Sequence, residues 1–124
     1  MRLSEAIRLG AMATRPVKRV FFHYVLGEID GTCALGAALY ANGATDVGNA
    51  ADSLDHLFGV EFMTQPVRCF DCGIVRGLGA MITHLNDEHF WSRERIADSV
   101  ETIEREIETK APETETTEAK PVLA

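Results

Sequence analysis

The chain has 124 residues, room for one domain and hardly for two. A formal charge of −7 and a pI of about 5.0 argue against a phosphate-binding surface, because nucleic-acid affinity rests largely on Lys and Arg displacing counterions. Hydrophobic residues make up 46% and charged ones 25%, ordinary values for a globular domain, and no apolar run approaches the ~18 residues of a membrane span.

In chain order, Ser4 is placed to cap a first helix with Leu3, Ile7 and Met12 along one side, ending at Thr14-Arg15-Pro16. Val20 to Leu26 is rich in β-branched and aromatic residues and predicts a buried strand, with a turn over Gly27 to Gly31. Thr32 is expected to cap a small-residue helix, Cys33 to Ala41, which stops at Asn42-Gly43. Its Ala34, Gly36, Ala37 and Ala38 let another helix approach closely. A further helix is expected over Asp46 to Phe58, closed by Gly59.

Val60 to Phe62 and Pro66 to Arg68 read as short extended pieces leading into two cysteines, and Gly73 to Arg76 as the returning arm of a hairpin. Helix is expected again from Ala80 through the histidines, beginning to unwind at Asn86-Asp87. Ser92 caps the last helix, whose Ile96, Val100, Ile103 and Ile107 form one apolar stripe that ends before Pro112. Beyond it, Glu-Thr-Glu-Thr-Thr-Glu is polar and free of aromatics, a composition that predicts disorder. The expected fold is therefore mainly α, a small α+β domain over 1–110 in which a short zinc-bearing β-hairpin packs on a helix. An acidic, disordered tail over 111–124 follows it.

Charge is uneven along the chain. Residues 1–25 carry a local excess of four positive charges, whereas residues 100–124 hold seven Glu. A basic start and an acidic end offer docking surfaces, or simply a solvated exterior.

The strongest chemical signal is Cys69-x2-Cys72-x11-His84-x4-His89. Two cysteines three apart bring both sulfurs round one tight turn, and Gly73 lets the backbone bend there. Two histidines five apart converge from the end of a helix, and tetrahedral zinc takes such an S2N2 set. Cys69, Cys72, His84 and His89 are thus the expected ligands of one structural zinc, with His23 and His56 as possible substitutes. Four protein ligands close the site, whereas a catalytic zinc keeps a position for water. Asp87 or Glu88 is expected to orient a histidine, and Phe90 and Trp91 to seal the site. A Cys-x2-Cys pair also serves redox chemistry, but the βαβ setting of such sites is missing here. Cys33 reads as a small core residue rather than a nucleophile. No catalytic residue is assigned. Three cysteines, an odd number, fit a reducing compartment, and the first ten residues lack the apolar centre of a secretory signal. The expected location is cytoplasmic.

Over residues 69–89 the spacing resembles the two-cysteine, two-histidine zinc finger, one residue short between the inner ligands. That resemblance puts Gly77, Gly79, Ala80 and Thr83 at the base-reading positions, where their side chains are too short to reach base edges. The blocks Leu3-Ser-Glu-Ala-Ile-Arg-Leu-Gly-Ala11, Cys33-Ala-Leu-Gly-Ala-Ala-Leu39 and His84-Leu-Asn-Asp-Glu-His89 with Trp91-Ser-Arg-Glu are similar to those of a set of short bacterial and phage proteins. This resemblance implies a modest helical fold with a metal site, and a virion location if the chain is phage-encoded. It brings no established activity. The function expected is a non-catalytic interaction or scaffold module with a protein partner, of the phage or virion-associated accessory kind. The alternative is a zinc-finger-like nucleic-acid-binding regulator.

Overall fold

A computed structural model describes residues 1–44, 46, 48–110 and 120–121. Helix α1 spans Leu3–Ala13 and is followed by a short strand β1, Arg15–Pro16. Strands β2 (Phe22–Val25) and β3 (Glu28–Thr32) form a hairpin, and β1 lies parallel to β3 in a sheet of order β1-β3-β2. Helices α2 (Ala34–Ala41), α3 (Ala50–Phe58) and α4 (Val60–Thr64) come next. A second hairpin follows, β4 (Pro66–Arg68) with β5 (Val75–Gly77), and leads into α5 (Leu78–Asp87) and α6 (Arg93–Lys110). A mainly helical α+β fold with a β-hairpin running into a helix is what the sequence predicts. The tail expected over 111–124 lies outside the described residues except at Lys120–Pro121, a two-residue strand β6 parallel to β4.

The core is built where α1 and α6 close over α2 and α5. Leu3, Ile7, Leu35, Leu39, Ile82, Leu85, Ile96 and Val100 are all nearly inaccessible. The small-residue stripe of α2 serves the purpose expected of it. A Cβ built on Gly10 of α1 would stand 1.9 Å from the carbonyl oxygen of Ala37, so glycine alone permits this approach.

The opposite charges of the two ends meet in the same layer. Arg8 bonds to Asp98 and Glu101 of α6 at 2.7 Å each, and Arg2 pairs with Glu108. Those pairs hold the basic α1 against the acidic α6, so these charges are partnered within the fold.

Several local expectations are corrected. Arg2, not Ser4, stands at the cap of α1; Ser4 lies in its first turn and donates its amide (3.1 Å) and hydroxyl (2.5 Å) to Glu104 of α6. A long-range carboxylate thus joins the local Glu5, which accepts the Arg2 amide at 3.3 Å, in satisfying this helix end. Met12 is 83% exposed and off the apolar side, which Ala11 completes. Of β2 only Phe22 is buried, because the hairpin projects from the body with Leu26 and Gly27 at positive φ in its turn. The supposed turn from Gly27 to Gly31 is mostly strand β3. Helix α3 begins at Ala50, four residues late, after Asn49 at φ 56; Val47 lies outside the described residues. Val60–Thr64 is helical rather than extended.

Arg93 fastens the start of α6. Its guanidinium donates to the Thr14 hydroxyl (2.9 Å) and carbonyl (2.7 Å), the Ala11 carbonyl (3.2 Å) and the Thr32 hydroxyl (3.0 Å), at only 4% exposure. The carbonyls of Ala11 and Thr14 are at the C-terminal end of α1, where a cation is favoured by the helix dipole. Burial pulls the Arg93 pKa down from its ordinary value.

Candidate metal centre

The second hairpin puts both cysteines on one turn. Cys69 donates its amide to the Ile74 carbonyl and accepts from the Gly73 amide, each at 2.8 Å. Gly73 sits at φ 80, in the left-handed region where a side chain is strained, so the reversal rests on glycine. Cys69 is buried and Cys72 exposed.

Helix α5 presents His84 from its last turn. The chain then reverses: the Glu88 amide bonds to the His84 carbonyl (2.8 Å) and the Trp91 amide to that of Leu85 (3.1 Å). Phe90 takes φ 57 within this reversal, a conformation costing a non-glycine residue about 1 kcal/mol. The reversal carries His89 back onto His84, the two rings meeting edge to face with centroids 4.7 Å apart.

The four expected ligands come together. One ligand atom from each of Cys69, Cys72, His84 and His89 lies within 4.8 Å of the others. His84 Nε2 is 3.4 Å from Cys72 Sγ and 3.1 Å from His89 Nε2. Ligands of a tetrahedral zinc stand about 3.5 Å apart for an S,N pair and about 3.3 Å for an N,N pair, given bonds of about 2.3 and 2.0 Å. The donor chemistry fits a metal ion, and the two separations at His84 are close to those of a tetrahedral site, within a set that spans 4.8 Å. The Ile74 amide first, and then His89 and His84, pull the Cys72 thiol down to about 6. At neutral pH it is a thiolate, the form that binds metal.

His23 and His56 are not in this group. His23 Nδ1 is 2.7 Å from Asp30 and 3.0 Å from Arg15, on the first sheet. Asp87, expected to orient a histidine, instead accepts from the Arg19 amide and from Asn86. The carboxylate at the site is Asp71, which sequence reasoning missed: it lies 3.7 Å from His89 Nδ1 and 2.9 Å from Trp91 Nε1. Its position inside the Cys-x2-Cys turn was the available signal.

Trp91 is buried as expected, with the Arg95 guanidinium 3.6 Å above its ring. Phe90 is not. It is 64% exposed, as is Phe70 between the cysteines at 62%. Cys33 caps α2, its sulfur accepting from the Gly36 amide at 3.3 Å, and burial pushes its thiol pKa up despite the helix end. No helix among the described residues is long and apolar enough to cross a membrane.

No protein-family model, curated protein or solved structure matches the chain, so the reading of the site rests on its geometry and chemistry.

Proposed function

We propose that this chain is a small non-catalytic interaction module whose fold is fastened by one structural zinc ion at Cys69, Cys72, His84 and His89. The observation that carries the reading is the convergence of four soft and borderline ligand atoms within 4.8 Å. Zinc is favoured among metals because two thiolates and two imidazoles suit its tetrahedral preference. Four protein ligands leave no position for a water to be activated, which argues against hydrolysis.

Phe70 and Phe90 support the interaction role. Each adjoins a proposed ligand in sequence and each is largely exposed, Phe90 with the Lys18 ammonium 5.0 Å over its ring, and aromatic side chains are enriched in protein contacts. The nucleic-acid alternative loses ground on charge, since Arg2 and Arg8 of the basic segment are paired with α6. The resemblance to short bacterial and phage proteins, with a virion-associated role, remains part of this proposal and adds no activity to it.

Zinc content per chain, measured by elemental analysis on wild type and Cys72→Ala, tests the reading. One equivalent in the wild type, lost in the variant together with thermal stability, supports a structural site. A metal-free wild type purified with zinc present overturns it.

A further inference from the structure

We infer that Asp71 is the positioning carboxylate of the metal centre and that Trp91 holds it in place, so that metal occupancy is coupled to the start of α6. The inference rests on the zinc reading above. His89 turns its Nε2 toward His84 Nε2 (3.1 Å), which makes Nε2 its ligand atom. A nitrogen that binds metal must offer its lone pair, so the ring proton has to reside on Nδ1. Asp71 Oδ2 faces that atom at 3.7 Å. A shift of about half an ångström turns this approach into a hydrogen bond. A carboxylate on the far ring nitrogen fixes the tautomer and raises the basicity of the ligating one.

The same oxygen accepts the Trp91 indole N–H at 2.9 Å. Trp91 is 2% exposed, and a buried indole N–H requires a partner. Asp71 is therefore shared between the ligand His89 and an immobile core side chain. Trp91 directly precedes Ser92, whose hydroxyl caps α6 by accepting the Arg95 amide (3.0 Å), and Arg93, which clamps α1. Asp71 is thus anchored to the residue that immediately precedes the cap of the last helix.

The test compares zinc affinity, by competition with a chromophoric chelator, in wild type, Asp71→Asn, Asp71→Ala, Trp91→Phe and the double variant Asp71→Ala/Trp91→Phe. Asp71→Asn keeps an acceptor oxygen for both donors but removes the charge. It should weaken binding by about tenfold, and Asp71→Ala by on the order of 10–100-fold, with one site per chain retained. Trp91→Phe should weaken binding in the Asp71 background and have no further effect once Asp71 is Ala, which distinguishes an anchor from a mere packing residue. Trp91 is the single tryptophan, so loss of its indole hydrogen bond to Asp71 should shift the emission of zinc-loaded Asp71→Ala relative to zinc-loaded wild type. Wild-type affinity in Asp71→Ala, or equal losses from Trp91→Phe in both backgrounds, overturns the inference while leaving the zinc reading intact. Failure of the wild type to bind zinc overturns both.

Discussion

Gly10→Ala is a direct probe of how α1 and α2 are held. At an open helical site this change would stabilise by about 1 kcal/mol through helix propensity. Here the new Cβ would lie 1.9 Å from the Ala37 oxygen, 2.4 Å from its carbonyl carbon and 2.7 Å from its Cα. All three are backbone atoms and none can rotate aside, so one helix must move by more than an ångström. Overpacking of a core costs roughly 1–3 kcal/mol when side chains can adjust, and this case belongs at or beyond the upper end. Net of the propensity gain, the loss should be about 2 kcal/mol. For a domain of this size that is a fall in melting temperature on the order of 10 °C. Urea and thermal unfolding with zinc held saturating measures it. A variant as stable as wild type would refute the claim that glycine is what permits the approach.

Excess chelator should melt the domain or lower its melting temperature sharply, since structural zinc contributes on the order of 10 kcal/mol, comparable to a whole domain's stability; circular dichroism with and without added zinc checks this. In metal-free protein an alkylating reagent at pH 7 should modify exposed Cys72 well before Cys33 and Cys69, as read by peptide mass mapping, because Cys72 is a thiolate and Cys33 is held neutral by burial. Arg8 hydrogen bonding, above all, holds the Glu101 carboxyl below its ordinary range. That contribution is present above the unfolded pKa of about 4.3 and is lost as pH falls through the lower folded value. Melting temperature followed from pH 6 to pH 3 should therefore fall less steeply in Arg8→Gln than in wild type.

The Cys69, Cys72, His84 and His89 cluster was legible because ligand chemistry constrains residue type and spacing together. The closing helix was legible for a similar reason: Ile96, Val100 and Ile103 repeat at helical intervals and are all buried. What escaped the sequence depends on partners far along the chain. Ser4 reads as a cap, yet the carboxylate that bonds it is Glu104, one hundred residues away. Asp71 resembles any turn residue until Trp91 and His89 are folded onto it. Phe90 reads as core on hydrophobicity, whereas the reversal that delivers His89 leaves its ring outside. The strand β3 contains Asp30 and Gly31, residues that local propensity assigns to turns, and only pairing on both sides makes it a strand.

The seam between α1 and α6 has a consequence during synthesis. The segment holding the whole Cys/His cluster has left the ribosome once residue 89 emerges, but α1 then still lacks Arg93 to clamp its end and Glu104 to bond its beginning. A domain generally folds as a unit once enough of it has been made. Here the first helix is among the last to be secured, so the Cys/His cluster can assemble before the core closes.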